Sequence, residues 1–269
     1  MKKQFQQLAN AATCTAAIIL SATGCKKDYN TNYPPATIYT VVKAVSGDSL
    51  GIVVKMNEYR LLAGNQLNST TGVTGGRREV NWDAVPATFT NANNFPSDFF
   101  GSSDAALPDG RKRGLLLQNT GTSFRVDSTD FTEVEPSYAT TFETFSKKKL
   151  FVYMGNNVTE VSFKVPGTNT DAYVKGFGAV FTDVDDANST SLEFFSGSKS
   201  LGTYKVPVRT ATGSFSFLGV NFPDEKIIKV RITEGNGLLG SGVKDISNGG
   251  TKDLVVMDDF IYDEPRPFN

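Results

Sequence analysis

The 269-residue chain contains no histidine, a single tryptophan and only two cysteines, Cys14 and Cys25, both near its start. Without imidazole there is no Ser-His-Asp or Cys-His nucleophile pair, no histidine-ligated zinc and no histidine pH switch. With no cysteine beyond position 25, a disulfide framework, a cysteine zinc site and thiol chemistry are excluded from the body of the chain. No apolar run reaches the roughly 20 residues that a membrane-spanning helix needs. An excess of one charge is missing too: 27 Lys plus Arg face 28 Asp plus Glu, which offers no electrostatic footprint for nucleic acid. What is present in quantity is phenylalanine (20) and glycine (25), together with β-branched residues, the material of a β-rich core.

Lys2 and Lys3 precede the apolar run Ala11 to Ala22, which has the length of a signal-peptide core. Small residues then lead into a cysteine, Ala22-Thr23-Gly24-Cys25, followed by Lys26-Lys27-Asp28. The segment resembles the lipobox of bacterial lipoproteins, closely at Gly24 and Cys25 and more loosely at Ala22. The start after the cysteine is similar to that of outer-membrane lipoproteins of Bacteroidetes. The resemblance implies that residues 1–24 are a signal peptide and that Cys25 is the acylated first residue of the mature chain. It also implies an exported protein on the outer membrane, possessing a lipid bilayer as partner through its acyl anchor. An ordinary secretory signal with an incidental cysteine is the alternative. Loss of Lys2 and Lys3 leaves 25 basic against 28 acidic residues, a net charge of −3.

Residues 25–47 read as the lipidated cysteine and a polar tether containing Pro34-Pro35, ending in a β-prone stretch from Thr37 to Val45. Residues 48–66 read as a short helix, with Asp48 as its N-cap and Gly64 at its C-terminus. Leu50, Val53, Val54, Asn57 and Leu61 trace the face expected to pack on the following domain. From 67 to 269 the pattern is one of short alternating runs between turn residues, as in Val161-Ser162-Phe163-Lys164-Val165 and Ile228-Lys229-Val230-Arg231-Ile232. Nine such runs without intervening helices predict an all-β, jelly-roll-like antiparallel sandwich with a short N-terminal helix. The runs around Tyr173 to Phe181 and Ser214 to Phe222 read as central strands. The stretch from Ala84 to Gly114 reads as a loop folding over a sheet.

Several of these segments carry a resemblance: Gly76-Arg77-Arg78-Glu79-Val80-Asn81-Trp82-Asp83, then Gly176-Phe177-Gly178-Ala179-Val180-Phe181-Thr182-Asp183-Val184-Asp185, and Val255-Val256-Met257-Asp258-Asp259-Phe260-Ile261-Tyr262. From about Gly51 to Pro265 the chain resembles a family of exported bacterial proteins without an assigned activity. Its last strand is also similar to the ends of jelly-roll carbohydrate-binding modules, in which an aspartate often ligates a structural calcium ion.

Strict alternation along Leu254 to Tyr262 puts Asp258 on one apolar face and Asp259 on the other, so each turn of the strand aims an aspartate among hydrophobic neighbours. An unpaired buried carboxylate costs several kcal/mol and demands a partner. Calcium is the metal this oxygen-only composition best accommodates, and Glu79, Asn81 or Asp83 could complete a site if the first and last strands are neighbours. Backbone amides, or Arg77 or Arg78, could satisfy the same aspartates instead. A second acidic group, Asp183, Asp185, Asp186 and Asn188, offers alternating oxygen donors after a strand; a tight turn with solvated acids explains it equally. Asp258, Asp259, Glu79, Asp183 and Asp185 are therefore the candidate metal ligands, with calcium in a structural role.

No catalytic residue stands out. Glycoside hydrolysis needs two carboxylates facing each other across a cleft, and Glu193, Glu133 and Glu135 belong to no such motif. Trp82 shares a face with Val80 and reads as core, leaving Tyr138, Tyr153, Tyr173 and Tyr204 as candidate sugar platforms. The glycine pairs around Asn236 and Ser241 lack a phosphate-loop lysine. The expected function is that of a non-catalytic binding module for a glycan or another cell-surface component. A carbohydrate hydrolase or lyase, or a structural or adhesive surface protein, are the alternatives.

Overall fold

A computed structural model describes residues 37–118 and 123–268. Cys25 and the segments expected to be a signal peptide and a tether, up to residue 36, lie outside the described residues. Among those described there are 14 strands in two antiparallel sheets and a single α-helix.

Eight strands form the sandwich: β5 (Leu150–Tyr153), β6 (Val158–Lys164), β8 (Gly176–Thr182), β9 (Ser191–Ser196), β10 (Lys199–Lys205), β11 (Phe215–Asn221), β12 (Lys229–Thr233) and β13 (Val256–Asp263). One sheet has the order β5-β13-β8-β11 in its centre and the other the order β6-β12-β9-β10. The pairs are therefore nested: β9 with β10, β8 with β11, β6 with β12 and β5 with β13. A long antiparallel hairpin wound over itself has this order, which is that of a jelly roll. The remaining strands extend it. β1 (Val41–Gly47) pairs with β11, β2 (Arg77–Val80) with the end of β13, β3 (Leu115–Gln118) with β6, and β4 (Phe124–Asp127) with β5. The short β7 (Asp171–Tyr173) and β14 (Arg266–Pro267) close one end of the second sheet.

The two sheets differ in what covers them. β6 and β12 of the second sheet alternate buried with half-buried residues, so that sheet turns one face to solvent. In the first sheet β8, β11 and β13 are buried at every position. Their inner face joins the main core with Phe177, Phe194, Phe260 and Tyr262, and their outer face is covered by the helix at one end and by loops carrying Phe131, Tyr138 and Leu239 at the other.

The helix α1 (Ser49–Ala63) is capped as expected, Asp48 accepting from the Gly51 amide at 2.7 Å and the Gly64 amide donating to the Arg60 carbonyl. Its packed face is not the expected one. Ile52, Met56, Tyr59 and Ala63 are buried, whereas Leu50, Val54 and Leu61 are 80%, 65% and 67% exposed. Helical spacing sets those two stripes on opposite sides. The inward stripe wins because Gly219 and Gly178 pave a trough for the Tyr59 ring: a Cβ at 219 would stand 2.5 Å from Tyr59 Cδ2. Burial of Ile52 and Met56 contributes roughly 1.5–3 kcal/mol each.

The last strand also departs from strict alternation. The register between β13 and β8 shifts by one residue between Met257 and Phe260. Asp258 and Asp259 form this β-bulge, and the strand changes parity across it: Val255 and Met257 before it, Phe260 and Tyr262 after it, all face the main core. The loop over residues 84–114 folds onto the sandwich as expected and buries Phe95, Phe99 and Phe100 in that core. β3 and β4 were not among the expected strands.

Candidate functional site

Three places in the fold concentrate polar chemistry. The first is the bulge in β13. Asp258 accepts from the backbone amides of Phe145 (2.7 Å) and Ser146 (3.2 Å) and from the Ser146 hydroxyl (2.8 Å). The carbonyl freed by the bulge accepts the Trp82 indole Nε1 at 2.6 Å. Burial, and then the neighbouring Asp259, push the Asp258 pKa well up; burial likewise raises that of Asp259. The first and last strands do lie side by side, Glu79 opposite Ile261. The Glu79 carboxylate nevertheless goes to Arg60 and Arg77, at 2.9 and 2.6 Å. Burial opposes its ionisation, and these two guanidiniums outweigh burial and hold its pKa below the ordinary carboxylate range. Arg78 is fully buried and bonds Glu264 through two nitrogens, tying β2 to the chain beyond β13.

The second place lies beyond β8. Asp183, Asp185 and Asp245 bring carboxylate oxygens within 4.8 Å of one another, and they are the one such acidic group among the described residues. Asp183 sits at φ 70° and is fully buried, and neither of its oxygens accepts a hydrogen bond; its partner is the Arg209 guanidinium in an ion pair. Arg209 also holds Asp185 through Nε at 2.6 Å and Nη2 at 3.0 Å. Asp245 accepts from the amides of Ser247 and Leu254. Asp253 packs behind them, accepting from the amides of Asp185 and Asp186 and from the Ser189 hydroxyl. Burial, and then the charge of Asp245, raise the Asp185 pKa to about 7. Asp186 and Asn188 stay outside the group and make a turn, the Asn188 amide donating to Asp186. The structure thus joins Asp183 and Asp185, adds Asp245, and keeps Asp258, Asp259 and Glu79 apart from them. Arg209, Asp245 and Asp253 were not foreseen; they lie on later loops, and no local spacing links them to Asp183.

The third place is a pocket of about 350 Å³ between the end of β2 and the loop over residues 84–113. Its walls are Trp82, Phe99, Phe100, Pro86 and Pro108, with Asn81, Arg111 and Arg113 as polar lining. Trp82 is buried, as its alternation with Val80 implied, yet it occupies the left-handed region at φ 63°, an outlier for a bulky residue. Stacking on Phe151 at 4.1 Å, edge contacts with Phe95, Phe100 and Phe260, and the bond to the Asp258 carbonyl hold it there. The pocket escaped sequence reading because a long irregular loop supplies most of its wall.

The expected platforms and carboxylates fall elsewhere. Tyr138 and Tyr153 are core residues; Tyr173 and Tyr204 are half-buried, against Phe268 and against Phe194 and Phe222. Glu193 is half-buried on the open face of the second sheet, paired with Arg231 and bonded by Ser200. Glu133 pairs with Arg125, and Glu135 accepts from the amides of Ser137 and Gly242. Comparison with protein-family models, with curated proteins and with solved structures finds no match. Among the described residues no helix is long and apolar enough to cross a membrane.

Proposed function

We propose that the protein is an exported outer-membrane lipoprotein, anchored through acyl chains on Cys25, whose jelly roll is a non-catalytic binding module for a glycan or another cell-surface component. The observation that supports binding is the pocket beside Trp82: it is concave, held by packed aromatic side chains and sparsely polar, as ligand pockets are. No carboxylate lines it, so it lacks the facing acids a glycosidase needs. The hydrolase alternative would have to draw on Glu193, which is tied to Arg231, or on Asp183 to Asp186, which are tied to Arg209 and to backbone amides. The same reading gives a structural calcium ion to Asp183, Asp185 and Asp245, where one guanidinium faces several carboxylates.

Retention on immobilised polysaccharides tests the module. Binding that disappears when the pocket wall is altered by Phe99→Ala is the expected result, and no retention on any of a diverse set would overturn the glycan reading. Mass spectrometry of the mature N-terminus tests the anchor: an acylated Cys25 is expected, and an unmodified cysteine sinks it.

A further inference from the structure

Six of the nine arginines are neutralised by carboxylates. Arg60 and Arg77 share Glu79, Arg78 pairs with Glu264, Arg125 with Asp127, Arg209 with Asp183 and Asp185, and Arg231 with Glu160 and Glu193. Among the described residues, exposed Arg266 on β14 has no ion pair, and neither have the two that line the pocket. Arg111 donates through Nε to the Phe99 carbonyl at 2.8 Å, and Arg113 donates to the carbonyls of Gly110 and Glu79. All these acceptors are neutral, and among the described residues no carboxylate stands within ion-pair distance of either guanidinium. The charge of Asp98 reaches Arg111 only from farther off. Among the described residues, both Nη groups of Arg111 and Nη2 of Arg113 have no acceptor.

We propose that this pocket takes a ligand bearing a carboxylate on a ring with an apolar face, the carboxylate on the free Nη groups of Arg111 and Arg113 and the ring against Phe99, Phe100 and Trp82. Five features lead there. The guanidinium of Arg111 is already immobilised, its central carbon 3.6 Å above the Phe99 ring centroid, so little side-chain freedom is left to lose on binding. The surroundings are apolar and partly exclude water, which strengthens a charge-assisted bond to a carboxylate. Burial also lowers the Arg111 pKa, so its cation is under-solvated and gains from an anion. The ring contacts and the indole bond that hold Trp82 at its strained backbone angle keep the aromatic wall in one shape, and Asn81 at the exposed rim offers an amide to a ring hydroxyl.

The inference rests on the binding-module reading and narrows it to acidic ring compounds, of which sugar acids and aromatic acids are the two sources. Calorimetric titration of the full chain with galacturonate, benzoate, the methyl ester of each, and galactose separates them. Fluorescence of Trp82, the only tryptophan, gives a second readout. At least one acid is expected to bind about tenfold or more tightly than its ester, and this preference is expected to shrink to about twofold in Arg111→Gln and Arg113→Gln. The acid-against-ester comparison on the unaltered chain stands if either variant fails to fold. Galacturonate as the tighter acid identifies an acidic glycan. Benzoate alone would uphold the inference and overturn the glycan reading. Galactose binding without preference for either acid would overturn the inference and leave the glycan reading in place. Equal binding of acids and esters, or no binding of either acid at millimolar concentration, also overturns it.

Discussion

Two groups of buried aspartates solve one electrostatic problem in different ways. In the bulge of β13, Asp258 is met by two amides and a hydroxyl of the Phe145-Ser146 segment. Beyond β8, Asp183, Asp185 and Asp245 face one another, and the positive charge among them belongs to Arg209. The bulge aspartate does structural work: it fastens the 145–146 loop to the strand, while the freed carbonyl beside it seats Trp82. The second group carries more negative charge than its guanidinium cancels, which leaves it open to protons and to cations. Burial alone, similar in the two places, does not distinguish a fold determinant from a responsive site; the chemistry of the donors does.

Removing the counter-charge should produce the largest effect. Arg209→Met strands Asp183 and Asp185, and at pH 8 the loss should be about 3–5 kcal/mol, the range for breaking a buried pair from one side. Urea unfolding at pH 8 and pH 5 measures it. The loss should be smaller at pH 5, where Asp185 is protonated; an equal loss at both pH values would mean that the group holds no excess charge. In the bulge, Asp258→Ala deprives three donors of their acceptor. Relief of the raised-pKa carboxyl beside Asp259 offsets part of this, leaving about 2–3 kcal/mol. Asp258→Asn keeps one acceptor oxygen and should cost about half as much. If Asn is as harmful as Ala, the bulge depends on charge after all and the contrast between the two groups fails.

Protons offer a gentler probe. The folded-state pKa of Asp185, about 7, lies above its unfolded value, so the folded protein binds the proton more tightly. Its contribution to stability is fully present below about pH 4 and is lost as pH rises through 7. Asp263, at the end of β13, also titrates at about 7, chiefly through burial, although the amides of Lys175 and Gly176 bond it. Buried Glu234, pushed up to about 8, and the raised carboxyls of Asp258 and Asp259 act in the same direction, so the melting temperature should fall from pH 4 to pH 8 and Asp185→Asn should flatten only part of the slope. A profile unchanged by Asp185→Asn would assign the effect to the other buried carboxyls, Asp263 and Glu234 foremost.

Local spacing was enough to reveal much of this architecture and half of the acidic group. The alternation in β6 and β12 is clean because one face of their sheet is open, and the glycine-rich run of β8 and the two-sided apolar run of β11 mark central strands. The helix misled because it has two apolar stripes; nothing within it says that Gly178 and Gly219, more than a hundred residues later, form a trough shaped for Tyr59. The bulge misled because one extra residue reverses parity without altering composition. Asp183 and Asp185 could be seen as a pair, but Arg209 and Asp245 reach them only through the winding of the jelly roll. The pocket needed the loop from residue 84 to 113 to be folded before it existed.

Calcium should give a modest response and the sharpest division. A site with a dissociation constant of about 0.1–1 mM, typical of extracellular modules, adds roughly 1.4–2.7 kcal/mol at 10 mM free ion. Binding requires the carboxylates to be ionised, so the rise in melting temperature should be larger at pH 8 than at pH 5, opposite in sign to the effect of protons on the same group. Asp183→Asn and Asp245→Asn should abolish it, whereas Asp258→Asn should leave it intact, because the bulge carboxylate lies apart from the three that converge. EDTA should reverse the rise in the wild-type chain. A melting temperature indifferent to calcium and to EDTA at pH 8 would remove the ion and leave Arg209 as the counter-charge of the group. A response that survives Asp183→Asn and disappears with Asp258→Asn would move the ion to the last strand and invert the comparison.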